Sequence, residues 1–132
     1  MPITRMDHFT ILTPDVEMTV AFYQDVLGFT VGPRPAFPFP GAWLYSGDKA
    51  ILHVIERSAI PEGGGVLDHI AFWGEGLPHF LAKLKARGLT YDVRRLPEGG
   101  HAAGMWQLFF YDPNGARVEI DFAATEDTGA GA

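Results

Sequence analysis

The chain contains no cysteine, which removes disulfides, thiolate zinc sites, iron–sulfur ligation and thiol nucleophiles in one step. No apolar run approaches the ~18 residues needed to span a bilayer. The start, MPITRMDHFT, lacks a basic stretch followed by an apolar one, so no secretory signal is expected. Positive charge is scarce: ten Lys and Arg against sixteen Asp and Glu leave a net charge of -6. That balance argues against nucleic acid and against an anionic membrane surface as partners. The expectation is a soluble, cytoplasmic protein. With 47% hydrophobic residues over 132 positions, the chain suits one domain, 1–132, that buries about two thirds of its unfolded surface.

What is present is a repeat. Met6-Asp7-His8-Phe9 returns as Leu67-Asp68-His69-Ile70, and Val26-Leu27-Gly28-Phe29 as Ala86-Arg87-Gly88-Leu89. Ser46-Gly47-Asp48-Lys49-Ala50 is answered by Asp112-Pro113-Asn114-Gly115-Ala116 at a slightly longer offset. Two copies of one unit, about 4–58 and 66–123, follow from this near-constant spacing. Glu62-Gly63-Gly64-Gly65 joins them, and 124–132, small and polar, reads as a disordered tail.

Each copy reads as strand, helix, then three strands. Residues 5–12 alternate as a strand. A helix follows, with Thr13 as N-cap, Pro14 in the first helical position, and Asp15 and Glu17 at the positive end. Val16, Val20, Tyr23 and Leu27 recur at helical spacing, and Gly28 supplies the residue beyond the C-cap. The second helix carries Leu77, Phe80, Leu81 and Leu84 on one face and ends at Gly88. Strands are expected at 42–45 and 50–56 in the first copy, and at 91–96, 105–111 and 116–122 in the second. The four prolines between Val31 and Gly41 exclude a helix or a central strand there. That stretch reads as a loop presenting Phe37 and Phe39, either a lid or a partner surface.

Metal-capable side chains are limited to His, Asp and Glu. Strand alternation places His8 and Thr10 on one face and Asp7, Phe9 and Ile11 on the other. The same logic turns Ile70 and Phe72 toward the second helix and His69 away from it. Val118, Ile120 and Phe122 form an apolar side, leaving Arg117, Glu119 and Asp121 opposite. Each copy thus offers two polar residues on its open face: His8 with His53, and His69 with Glu119. Two imidazoles and a carboxylate suit Fe(II), and equally Zn, Ni, Mn or Co. His79, after Pro78, reads as a surface residue, and His101 as an exposed loop histidine or as part of a flexible loop that closes over the site. Phe37, Phe39, Trp43 and Tyr45 read as a substrate wall or as a dimer contact.

The repeat, the paired Asp-His strand starts and the closing Asp112-Pro113-Asn114-Gly115-Ala116-Arg117-Val118-Glu119-Ile120 resemble the vicinal oxygen chelate superfamily. That group holds glyoxalase I, fosfomycin-resistance transferases, extradiol dioxygenases, methylmalonyl-CoA epimerases and bleomycin-binding proteins. The resemblance covers residues 4–123 and is specific to the superfamily, not to one activity. It implies an α+β fold in which two βαβββ modules form a cupped mixed sheet around one divalent metal ion. It also implies that the metal falls to His8, His69 and Glu119, with His53 at the fourth position.

Departures narrow the reaction. Glyoxalase I carries a glutamate where this chain has His53, so glyoxalase I proper is not expected. The fosfomycin enzymes carry a tyrosine where Phe109 stands and an arginine in their C-terminal tail that has no counterpart here, so that activity is not expected either. The resulting expectation is a metal-dependent isomerase, lyase or dioxygenase acting on a small oxygenated substrate. His53 and Glu119 are the expected catalytic residues, and Thr10, Arg117, Gln107 and Phe109 the expected substrate contacts. A homodimer is expected. The rival is a metal-free protein that sequesters a ligand, as the bleomycin-binding members do.

Overall fold

A computed structural model describes residues 6–59, 67, 69–96 and 104–129. The expected linker and His101 lie outside these residues. The chain divides into two units, Met1–Glu62 and Gly63–Ala132, each a strand, a helix and three further strands.

The first unit runs β1 (Phe9–Thr13), α1 (Val16–Phe22) continued by a wide π turn (Tyr23–Leu27), β2 (Thr30–Gly32), β3 (Gly41–Ser46) and β4 (Lys49–Glu56). Its sheet order is β1-β4-β3-β2, with β1 parallel to β4 and the other pairs antiparallel. The second unit repeats the plan with β5 (Ile70–Trp73), α2 (Leu77–Ala86), β6 (Tyr91–Arg95), β7 (Trp106–Tyr111) and β8 (Arg117–Phe122). Its order is β5-β8-β7-β6, again with first and last strands parallel. The sequence repeat is therefore a repeat of topology.

Alternation gives each sheet one apolar face. Ile11, Leu44, Leu52 and Val54 are buried in the first unit, as are Phe22, Tyr23 and Val26 from its helical segment. Leu108, Phe110, Val118, Ile120 and Phe122 are buried in the second, together with Leu77, Leu81 and Leu84 of α2. Gly28 and Gly88 close their helices at φ 77° and 68°, the left-handed conformation that glycine adopts without steric cost.

Several local expectations are corrected. β1 begins at Phe9, leaving Met6, Asp7 and His8 before the strand. Asp15, not Thr13, is the N-cap, accepting from the Met18 amide at 3.0 Å. Thr13 instead accepts, through its hydroxyl, from the Asp15 amide and from the Thr19 hydroxyl, both at 3.0 Å. That bond lets Thr19 be fully buried, so the inward stripe is Thr19, Phe22, Tyr23 and Val26 and not the one through Val16, Val20 and Leu27. The prolines are preceded by a short edge strand, β2, which pairs Thr30–Gly32 with Trp43–Tyr45. Residues 124–129 are seated, not loose: Ala124 and Glu126 accept side-chain hydrogen bonds from Arg95 and Trp106.

Gly41 starts β3 where a side chain has no room, since a Cβ there would lie 2.3 Å from the Val54 carbonyl oxygen. Backbone cannot swing aside as a side-chain tip does, so the β3–β4 ladder would have to open. Gly41→Ala is expected to cost about 1–3 kcal/mol, the usual range for overpacking, read as a lower denaturant midpoint at unchanged slope.

Candidate functional site

In the first unit the open face carries a column of rings. Register aligns Thr10 with His53 and His53 with Trp43. The His53 imidazole stacks on Trp43 with ring centroids 4.0 Å apart and on His8 at 3.8 Å. Two rings this close to a third must occupy its opposite faces, so His53 is the middle of a three-ring stack. Phe37 stands 6.4 Å from Trp43 and stacks on Phe39 at 5.1 Å. Tyr45 is apart from these rings in role, its hydroxyl donating to the Pro33 carbonyl. Burial and the neighbouring His8 hold the His53 imidazole below the usual histidine range, so it is neutral near pH 7.

His8 is turned by its own neighbour. Its Nδ1 lies 2.8 Å from Asp7 Oδ2, a contact that orients the ring and leaves Nε2 on the side away from that carboxylate. Metal-binding histidines are commonly oriented in this way by a carboxylate on the other ring nitrogen. His53 does not share that geometry. Its ring lies face to face with that of His8, only 17° from parallel, and its other face is covered by Trp43.

In the second unit His69 Nε2 meets Glu119 Oε1 at 2.9 Å. The histidine is one-third exposed, whereas the carboxylate is buried. Gln107 donates to Glu119 Oε2 at 3.3 Å, so this expected substrate contact is engaged in holding the carboxylate. Phe109 pairs with Glu119 across β7 and β8 and meets His69 edge-on at 5.9 Å. The guanidiniums of Arg117 and Arg94 lie 4.5 and 5.0 Å from the centre of the Phe109 ring. Asp121, two residues from Glu119, is pushed up to about 7 by burial and by the Glu119 carboxylate, with His69 opposing. Its Oδ1 is the buried side-chain oxygen without a hydrogen-bond partner among the described residues.

These donors fit a divalent cation as far as each unit goes. The contact between His69 Nε2 and Glu119 is the type that a cation replaces, an imidazole N–H facing a buried carboxylate. The Oδ1 of Asp121, buried beside this pair, has no hydrogen-bond partner among the described residues. His8, oriented by Asp7, is the equivalent residue of the first unit. Among the described residues no three His, Asp or Glu side chains gather into one metal-holding group. The structure thus brings together His69, Glu119, Gln107, Phe109 and Arg117 in one unit, and His8, His53 and Thr10 in the other.

Residues 5–120 match the model of the Glyoxalase/Bleomycin resistance protein/Dioxygenase superfamily, and the chain belongs to that superfamily. Its members include metal-dependent glyoxalases and dioxygenases, and divalent-metal dependence is general among them. Glyoxylase I 4 of Arabidopsis thaliana is 34% identical over 125 residues, 89% of this chain and 70% of that one. Metapyrocatechase of Geobacillus stearothermophilus is 25% identical over 91% of this chain, which spans 37% of that longer protein. The crystal structure of a glyoxylase/bleomycin resistance protein/dioxygenase domain from Frankia sp. EAN1pec superposes with a TM-score of 0.73 at 20% identity, covering 92% of this chain and 99% of that one. The first two relatives are enzymes by name. No helix among the described residues is long and apolar enough to cross a membrane.

Two contributors lie beyond the reach of sequence reasoning. Alternation assigns Asp7 to the opposite face, but residues 6–8 precede the strand and alternation does not govern them. Arg94 carries no signal until the register of β6 on β7 places it opposite Gln107.

Proposed function

We propose that this chain is a divalent-metal-dependent enzyme of its superfamily, acting on a small substrate through two neighbouring oxygens. The observation that carries the reading is the His69–Glu119 pair at 2.9 Å, an imidazole facing a buried carboxylate directly before and within the parallel strands of the second module. His8 Nε2, His69 Nε2 and Glu119 are the proposed metal ligands.

A divalent cation held by these residues would supply Lewis-acid polarisation of the substrate oxygens. Gln107 keeps the Glu119 carboxylate in place. Asp7 orients the His8 ring through Nδ1. His53, neutral near pH 7 and fixed between two rings, is the proton acceptor in reach of the same face, a role that its stacked geometry suits better than ligation. Trp43 and Phe37 provide the apolar wall, and Thr10 a hydroxyl beside His53. Isomerisation, elimination and dioxygenation all begin from a substrate held in this way.

Elemental analysis of the purified protein against a His69→Ala control tests the reading. Near-stoichiometric divalent metal in the wild type, absent from the control, is the expected result. Iron would direct substrate screening to oxygen consumption, and nickel, zinc, cobalt or manganese to isomerases and lyases. No metal in the wild type, even after reconstitution with each ion, would overturn the enzyme reading in favour of a ligand-sequestering protein.

A further inference from the structure

Pro33, Pro35, Pro38 and Pro40 stand between β2 and β3, and the segment they stiffen is pinned at several points. The Tyr45 hydroxyl donates to the Pro33 carbonyl, and the Glu56 amide donates to the Pro40 carbonyl. Inside the segment, Arg34 Nη2 donates to the Phe39 carbonyl at 2.9 Å. The guanidinium carbon of Arg34 also stands 5.1 Å from the centres of both the Phe37 and the Phe39 rings. Gly41 leaves room for it, because Nη2 lies 3.0 Å from where a Cβ at that position would be. Proline already limits the backbone in the unfolded chain, so holding this segment in one shape forfeits little entropy.

What the clamp presents is an apolar ring. Phe37 and Phe39 stack 13° from parallel with centres 5.1 Å apart. A guanidinium equidistant from two such rings lies beside them and not on an outer face. Phe39 thus covers one face of Phe37, and the other face and rim carry its 42% exposure. Continuity says what meets that face. Trp43 stands 6.4 Å from Phe37 and stacks on His53, which stacks in turn on His8. The exposed ring therefore ends a row of rings that begins at a proposed metal ligand, all within the first unit.

We infer that Arg34 is a positioning residue that fixes Phe37 as a wall for an aromatic ring on the substrate. The inference deepens the function proposed above and rests on it for the chelating end. The row of rings separates Phe37 from His8, so the substrate class is a pair of neighbouring oxygens joined to an aryl group by a short chain. A wall already in place loses no further freedom when it is met, which favours affinity. Phe37 is the specificity-determining residue, and Arg34 acts through it.

Two probes isolate the distal ring: 2-hydroxy-4-phenylbutanoate and 2-hydroxy-4-cyclohexylbutanoate, the same enantiomer of each. Their chelating ends and spacers are identical, and cyclohexyl is no less apolar than phenyl, so a phenyl preference reports ring stacking. Calorimetric titration into the cobalt-loaded wild type is expected to show the phenyl acid binding about threefold tighter or more. In Phe37→Leu that ratio is expected to fall to one with cobalt affinity unchanged, whereas Phe37→Tyr retains it. Arg34→Met should lower the ratio and Arg34→Lys, which keeps a cationic donor, should restore part of it. A lower melting temperature in Arg34→Met with the wild-type ratio would make Arg34 merely structural and overturn its positioning role. Equal affinity in the wild type, including no measurable binding of either acid, overturns the inference, as does a ratio that survives Phe37→Leu. Equal affinity together with a dimer that Phe37→Leu dissociates in sedimentation would assign the ring to a second copy instead. The metal reading is scored separately by cobalt absorbance. Cobalt bound without a phenyl preference sinks only this inference, and a preference kept by protein that takes up no cobalt sinks only the metal.

Discussion

A Glu119→Gln protein is expected to lose its metal and yet melt close to the wild type. Glutamine keeps the shape of the side chain and one oxygen to accept from His69 Nε2, now at 2.9 Å from the carboxylate. Gln107 can rotate its amide to present an acceptor to the new NH2 group. Removing the charge also relieves Asp121, whose carboxyl is raised to about 7 partly by Glu119. The gains and losses are each of the order of one hydrogen bond, about 1 kcal/mol, and they oppose one another. Metal affinity has no such compensation, because the lost group is the only anionic donor in the proposed set. Removing a residue that merely orients a ligand typically costs about 10–100-fold, and removing the ligand itself should exceed that. Titration with cobalt, alongside thermal melting of the metal-free proteins, checks both halves. Wild-type metal affinity in Glu119→Gln would remove Glu119 from the site.

Glu119 is a residue that alternation alone exposes. Val118, Ile120 and Phe122 had to face a helix, which left Glu119 on the open side, and the burial of those three residues agrees. The ends of the helices were equally legible, because Gly28 and Gly88 have a single physical reason to stand where they do. Legibility failed where two local solutions competed. Thr13 and Asp15 can each cap a helix, and the choice was made by Thr19, whose buried hydroxyl needs Thr13. It failed again where the information is register. The His8–His53–Trp43 stack and the two arginines at Phe109 depend on which residue lies opposite which. The almost unbroken apolar run of 105–111 hides its own inward face. Asp7 was lost for a simpler reason: a residue outside the strand does not obey the period of two.

The tail is the clearest case of composition misleading, and it yields the second large effect. Residues 124–129 are small and polar, but Glu126 meets a need created far away in sequence. Gly76, the N-cap of α2, has no side chain to accept from the first turn, and that turn contains no acidic residue. Glu126 supplies both functions: its carboxylate accepts from the Gly76 amide at 3.1 and 3.0 Å and from the Leu77 amide at 2.6 Å. A charged acceptor at a helix N-terminus satisfies orphan amides and complements the helix dipole at once. Its backbone is held in turn by Trp106 Nε1 at 2.7 Å and, through Ala124, by Arg95 at 2.6 Å. Glu126→Ala is therefore expected to cost about 2 kcal/mol, the upper end for a lost cap, and Glu126→Gln about half that, since it retains the acceptor without the charge. Ending the chain after Ala123 should cost more than either, because Trp106 and Arg95 lose their partners as well. Chemical denaturation of the three proteins against the full chain measures the order. Equal midpoints for the full-length and shortened chains would show that α2 needs no cap from the tail.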